Sequence, residues 1–277
     1  FRRVLFRSLR CGKAGQNDVQ MEKRMKIVVF TGAGVSADSG LATFRDSDGL
    51  WASYRIEDVC TPEALAHNRA MVIGFYNMRR REMLAAQPNA GHEAIAGLER
   101  DFEVEVLTQN VDDLHERAGS QAVIHLHGSL HAPRCFDCAA PYAGLDTELS
   151  EPEQGRHLPP PHCGVCGGRV RPGVVWFGEP LPYATLEAAQ QAARTCELML
   201  VVGTAGAVYP AAGLAQVARQ AGARVAIISA SWHTEVVYQA RDAAQADGKA
   251  VAGKDREKNA DRAAAKLCLH VGCDVSG

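Results

Sequence analysis

The stretch from Lys26 to Gly40, K-I-V-V-F-T-G-A-G-V-S-A-D-S-G, constrains this chain more than any other. Ile27, Val28, Val29 and Phe30 form an unbroken β-branched and aromatic run, the pattern of a parallel strand buried on both faces. Gly32, Ala33 and Gly34 follow with almost no side-chain bulk, so main-chain N–H groups can approach a ligand's phosphates. Ser36, Asp38 and Ser39 suit the start of a helix, and a pyrophosphate is expected there. A strand, a Gly-x-Gly turn and a helix also occur in proteins that bind no nucleotide. The stretch departs from the dehydrogenase fingerprint as well: Gly-x-Gly-x-x-Gly needs glycine at Ala37, and no strand with a terminal acid follows about twenty residues later.

The 277 residues, 47% hydrophobic with a net charge of −2, suffice for one good core and a small satellite module. Balanced charge offers no bulk attraction to nucleic acid or an anionic membrane. No apolar run approaches the roughly eighteen residues of a membrane span. Of nine cysteines, four fall into two C-x-x-C pairs and five are scattered, which suits a reducing compartment and a cytoplasmic protein rather than a disulfide scaffold. Residues 1–24 are Arg-rich with no acid before Asp18, while Met21 and Met25 stand just before the first strand. They are expected to be an extension outside the fold, with an organelle transit peptide as the alternative.

Further on, Thr43, Phe44 and Arg45 lead into D-S-D-G-L-W, a polar loop able to close over a ligand. Thr61-Pro62-Glu63 starts a helix with Pro at its first position. The next helix runs from about Arg69 to Ala86 on an apolar stripe of Met71, Val72, Phe75, Met78 and Met83. Tyr76 and Arg79 share a face of it, and the bland reading of the pair is a packed Tyr and a solvated Arg. Another helix is expected over Asn89–Arg100 and a strand over Phe102–Thr108, ending in Gln109-Asn110-Val111-Asp112. Polar residues at the carboxyl end of a parallel strand stand where open α/β sheets bind ligands, so these form a second wall. Val123–Gly128, V-I-H-L-H-G, reads as a short strand with His125 and His127 on one face beside that wall.

Between Cys135 and Cys166 the composition changes to C-F-D-C, a linker rich in Pro, Gly and acids, and C-G-V-C-G-G. Two C-x-x-C knuckles with 24 residues between them match a tetrahedral zinc site of Cys135, Cys138, Cys163 and Cys166, which would fold so apolar-poor a segment. Four thiolates leave no coordination position for water, so the zinc is structural. Val170–Glu179 returns to the main domain as an extended segment. Glu197–Val202 is the next buried strand, ending in the small-residue turn Gly203-Thr204-Ala205-Gly206. Val208–Ala212 opens a helix and Arg224–Ile228 forms another strand. Residues 229–277 are atypical, with only Lys266–Val271 suited to a last strand.

Taken in order, G-A-G-V-S, T-F-R, T-Q-N-V-D, H-G, the paired C-x-x-C, V-V-W-F-G-E and G-T-A-G-A-V-Y-P-A resemble the sirtuins, NAD-dependent protein lysine deacylases, from about Met25 to Ile228. Within that family Y-N-M-R, with Tyr76 and Arg79, resembles the class that removes succinyl and malonyl groups. The resemblance implies an α/β fold: a Rossmann-like large domain over 25–277 with a zinc ribbon inserted at 131–172. It implies NAD held by Gly32, Ala33, Gly34, Ser36, Phe44, Arg45, Gln109, Asn110, Asp112, Gly203, Thr204 and Ser229. His127 is then the general base, acting with Asn110 and Asp112 at the nicotinamide.

The same resemblance implies an acyl-lysine peptide bound as an added strand between Val175-Trp176-Phe177-Gly178-Glu179 and the Val208–Ala211 loop. Tyr76 and Arg79 would meet the acyl carboxylate. A monomer without nucleic-acid or membrane partners is expected, releasing nicotinamide, O-acyl-ADP-ribose and lysine. Ala205 stands where the family pattern has Ser, and Ser229–Trp232, S-A-S-W, replaces an Asn-containing turn that holds the adenine ribose. A catalytically weak NAD-binding sensor or interaction module, and a mono-ADP-ribosyltransferase, are therefore the alternatives.

Overall fold

The computed structural model describes residues 24–43, 54–143 and 161–228, and the backbone of 237–238. Its centre is β1, Lys26–Thr31, with every side chain after Lys26 buried. β1 pairs in parallel with β2, Glu103–Thr108, on one side and with β6, Leu198–Val202, on the other. β3, Val123–His125, lies parallel beyond β2, and β7, Arg224–Ile228, lies parallel beyond β6. An antiparallel strand β8, Val237–Tyr238, completes the order β3-β2-β1-β6-β7-β8.

Alternation along β1 explains why the run Ile27–Phe30 has no polar face. Ile27 and Val29 pack with Ile95, Leu98, Val104, Val106, Leu198 and Leu200. Val28 and Phe30 point the other way, toward Leu107, Met199, Val201, Ala189, Ala193 and Leu214. Each such side chain contributes about 1.5–3 kcal/mol on leaving water, so a sheet clad on both faces can dispense with a polar side. The helix Ala90–Leu98 covers the first face; Tyr183–Thr195 and Leu214–Gln220 cover the second.

A third cluster stands apart from the sheet. Thr61 caps the helix Pro62–His67 by accepting the Ala64 N–H at 3.1 Å, with Pro62 in the first turn. Asn68 caps the helix Arg69–Ala85 by accepting the Met71 N–H at 3.3 Å. Val72, Phe75 and Met83 of the latter pack with Leu65, Val174 and Trp176, so the helix bearing Tyr76 is joined to the extended segment after the cysteine module. That module holds a two-stranded antiparallel ribbon of β4, Arg134–Cys135, and β5, Val170–Arg171.

The chain runs from β1 to β2 and β3 on one side, then returns to β6 on the opposite side of β1. Open α/β sheets bind ligands outside the carboxyl ends of their strands where the order reverses in this way. The two glycine turns leave β1 and β6 at that point.

Several expectations from the sequence change in detail. The glycine turn leads into two short 3₁₀ turns, Ala33–Val35 and Ala37–Ser39, rather than a helix, and Gly40 ends them at φ +83°. β3 stops at His125, so His127 lies on the following turn. After Val208 the chain makes a 3₁₀ turn at Ala211–Gly213 before its helix starts at Leu214. The helix Tyr183–Thr195 and strand β8 have no counterpart in the sequence reading. Residues 1–23, Phe44, Arg45, Ser229 and Lys266–Val271 lie outside the described residues. Among the described residues no helix is long and apolar enough to cross a membrane.

Candidate active site at the carboxyl edge of the sheet

The glycines are needed because two backbones touch. A Cβ on Gly34 would lie 2.8 Å from the Gly203 carbonyl oxygen, and one on Gly203, at φ +60°, would lie 2.4 Å from the Val35 nitrogen. The Gly34 N–H donates to Gly203 O at 2.8 Å, so the turns after β1 and β6 are bonded to each other. This engages most of the donors expected to face phosphates: Gly32 donates to Val202 O, Val35 to Gly32 O and Ser36 to Ala33 O. Among the described residues, the N–H of Ala33 is the one in this turn left for a ligand.

Ser36 is buried, at 2% exposure, and its hydroxyl is fully committed. It donates to Asp112 Oδ2 at 3.1 Å and accepts from Asn110 Nδ2 at 3.0 Å. The His92 Nε2 lies 3.3 Å away, and the His92 Nδ1 accepts the Asn89 N–H, so Nε2 carries the proton and donates to Ser36. Ser36 therefore fixes the Asn110–Asp112 wall against the glycine turn. Asp112 Oδ1 also accepts the Leu114 N–H at 3.2 Å. Burial pushes the Asp112 carboxyl above its ordinary value, and the Leu114 and Ser36 bonds oppose that shift. Burial lowers His92 to about 4 and His115 to about 3, so both rings are neutral; the His115 Nε2 lies 3.0 Å from the Thr31 hydroxyl under the same wall.

His127 joins this frame through Gln109. The Gln109 N–H donates to Thr31 O at 3.0 Å and its side-chain amide to Thr204 Oγ1 at 2.8 Å, bridging the ends of β1 and β6. The Gln109 carbonyl lies 3.0 Å from the His127 Nδ1. A carbonyl only accepts, so Nδ1 carries the hydrogen and Nε2 keeps a lone pair. Burial lowers the His127 pKa, with the Gln109 carbonyl acting against it, and this favours the neutral ring a base needs.

The segment after β5 borders the same space. The Val175 N–H donates to His127 O at 2.8 Å, Trp176 N–H to Glu179 Oε2 at 2.9 Å and Phe177 N–H to Cys60 O at 3.0 Å. Arg171 forks onto both Glu179 oxygens, donates to Val174 O at 2.9 Å and stacks over Trp176 with 3.7 Å from guanidinium carbon to ring centroid. One buried arginine thus ties the cysteine ribbon to this segment. Gly178, at φ +86°, turns the segment back toward Glu179. Phe177 of this segment is an exposed apolar side chain, as are Val208 and Tyr209 of the loop after β6.

Tyr76 and Arg79 share a helix face but engage different partners. The Tyr76 hydroxyl accepts from Trp176 Nε1 at 2.9 Å and donates to Cys60 Sγ at 3.4 Å. Arg79 pairs with Glu82 Oε2 at 2.9 Å and donates to Ala42 O at 3.4 Å. Burial raises the Cys60 thiol, while the Tyr76 hydrogen bond and the Arg79 charge oppose that rise, which places all three groups within electrostatic reach. The sequence reading passed over Cys60, Trp176's link to Tyr76, and His92. His92 closes a capping box with Asn89 at the start of the helix Ala90–Leu98, and the expected helix over Asn89–Arg100 gives no hint of its contact with Ser36.

The four cysteine sulfurs all lie within 4.8 Å of one another. Cys135 and Cys166 are 3.5 Å apart and Cys138 and Cys163 3.7 Å, too far for a disulfide and close to the ~3.8 Å edge of a tetrahedron with ~2.3 Å Zn–S bonds. Main-chain N–H groups of Asp137 and Cys138 point at Cys135 Sγ, and that of Val165 at Cys163 Sγ, each at 3.4 Å, as suits thiolate ligands. The set fits one structural zinc.

The Sir2 family model matches residues 32–210. The chain is 55% identical over 202 residues to NAD-dependent protein deacylase 1 of Pseudomonas aeruginosa, covering 72% of this chain and 81% of that protein. It is 52% identical over 201 residues to the NAD-dependent protein deacylase of Methylococcus capsulatus, covering 72% and 79%. A solved Sir2 homolog–NAD complex superposes with a TM-score of 0.69 at 39% identity, over 88% of this chain and 91% of that one. A Sir2–p53 peptide–NAD+ complex does so with a TM-score of 0.64 at 32% identity, over 76% and 83%. Since the family match spans more than half of the chain and two relatives share over half of the aligned residues, the chain belongs to the Sir2 family, the sirtuins.

Proposed function

We propose that this chain is an NAD-dependent protein lysine deacylase that prefers succinyl- and malonyl-lysine and transfers the acyl group to ADP-ribose. The observation that carries the reading is the state of His127: Nδ1 anchored on the Gln109 carbonyl, Nε2 free as an acceptor, and the ring linked through Gln109 to Thr31 at the end of β1 and to Thr204 in the turn after β6. The names of the relatives support the coarse activity, and the free Ala33 N–H and the Ser36-held wall fit the cofactor. NAD supplies the ribose carbon that accepts the acyl oxygen as nicotinamide leaves.

Each residue has a role set by its chemistry. Ala33 offers its N–H to the phosphates. Asn110 and Asp112, aligned by Ser36, meet the nicotinamide carboxamide, whose N–H groups the Asp112 carboxylate accepts. Neutral His127 removes a proton from a ribose hydroxyl at Nε2. The acyl-lysine peptide adds as a strand beside Val175–Glu179, so main-chain bonds supply affinity with little sequence preference. Arg79 then pairs with the distal carboxylate of the acyl group, and Tyr76 shapes the pocket beside it.

His127→Ala should bind NAD within a few-fold of wild type by calorimetry yet lose deacylation by about 10²–10⁴-fold, the range for removing a positioned base. Unchanged turnover would remove the reading. Label from NAD appearing on protein instead of on a small acyl product would favour mono-ADP-ribosyl transfer.

A further inference from the structure

His125 lies two residues before His127 and touches the same wall, yet the mechanism above leaves it without a role. Its ring faces an acceptor at each nitrogen: Nδ1 lies 3.1 Å from the Asn110 carbonyl oxygen and Nε2 2.7 Å from Glu116 Oε1. A carbonyl only accepts. Burial by itself would raise the Glu116 carboxyl, but the hydrogen bond and charge of His125 outweigh it and leave it below the usual range, ionised and accepting only. A neutral imidazole has one N–H and satisfies one of these oxygens, setting a lone pair against the other. The imidazolium satisfies both, and 2.7 Å is the short separation of a charge-assisted bond.

The surroundings agree with a charged ring. Burial alone would lower His125, but the hydrogen bond and charge of Glu116 reverse the shift, with the Asn110 carbonyl and Asp112 adding to it. His115, on the same helix as Glu116, is neutral, and the strand partner on β2 is the uncharged Thr108. His127 is the opposite case, with one acceptor at Nδ1 and a value lowered by burial. Two histidines two residues apart, one ending β3 and one on the turn after it, are thereby driven apart in charge.

We propose that His125 is a positioning residue acting as an imidazolium cross-link, tying the Asn110 carbonyl to Glu116 on the helix Leu114–Arg117 and holding the nicotinamide wall in place while neutral His127 serves as base. Its kinetic consequence rests on the deacylase reading. The working form needs His127 unprotonated and His125 protonated, so activity occupies a pH window between the two. The His125 cross-link is complete below the ordinary histidine value of about 6.5 and is lost as pH rises through its raised value.

The test uses the full chain with NAD and a succinyl-lysine peptide. Wild type should give a bell-shaped kcat/KM profile. Glu116→Gln, at a side chain 41% exposed and given no substrate contact above, should move the basic limb to lower pH and leave the acid limb in place. His125→Gln keeps a donor but cannot titrate, and should abolish the basic limb while lowering kcat/KM for NAD near pH 6.5 by about tenfold. NMR titration of the His125 ring needs no turnover: its midpoint should exceed that of an exposed histidine and fall in Glu116→Gln. A midpoint at or below the ordinary value in wild type, or a basic limb unchanged in both variants, overturns the proposal. If no acyl peptide is turned over, the deacylase reading fails and the NMR midpoint alone decides the charge of His125.

Discussion

Arg79→Met should separate the two substrate classes. The Arg79 side chain is 14% exposed and holds Glu82 at 2.9 Å and the Ala42 carbonyl at 3.4 Å. An incoming acyl carboxylate takes the place of Glu82, which is 38% exposed and returns to water at a cost of about 0–1 kcal/mol. A bidentate charge-assisted pair at this largely buried guanidinium contributes about 2–4 kcal/mol. Net of Glu82, roughly 1–4 kcal/mol of discrimination remains, or about 5–900-fold in kcat/KM at 1.36 kcal/mol per tenfold. The assay compares matched succinyl- and acetyl-lysine peptides by mass spectrometry. Succinyl turnover should fall by that factor while acetyl turnover changes by no more than about threefold. An equal fall for both, or no fall for succinyl, refutes the clamp.

Ser36→Ala leaves Asp112 Oδ2, Asn110 Nδ2 and His92 Nε2 without their shared partner, and urea denaturation should show about 2–4 kcal/mol of lost stability. Stripping the metal from Cys135, Cys138, Cys163 and Cys166 should make limited proteolysis begin in the cysteine module, and restored zinc should reverse it. His92, lowered by burial to about 4, contributes stability that is present above the unfolded value near 6.5 and lost as pH falls toward 4. Acid unfolding followed by circular dichroism should therefore start below pH 6.5, and His92→Asn should flatten that limb.

Much of the scaffold was legible because it follows from local pattern. Ile27–Phe30 leaves no polar face, Thr61-Pro62 carries its own cap, and the two C-x-x-C knuckles bring their spacing with them. The site was legible as a set of residues and not as a set of bonds. Whether the Gly34 N–H faces a ligand depends on Gly203, which stands 169 residues later and meets it only after the strand order reverses. The spacing of Tyr76 and Arg79 fixed their shared face, while Trp176 and Glu82 decided where their polar ends went. His125 and His127 looked equivalent by alternation. The end of β3 at His125 and the carboxylate of Glu116 made them different.

The most direct test of the account is a mass balance: the full chain with NAD and a succinyl-lysine peptide, each also omitted in turn. The account predicts nicotinamide, O-succinyl-ADP-ribose and free lysine peptide in equal amounts, formed only when both substrates are present. Nicotinamide released without the peptide, or an acyl peptide left intact under saturating NAD, would contradict it.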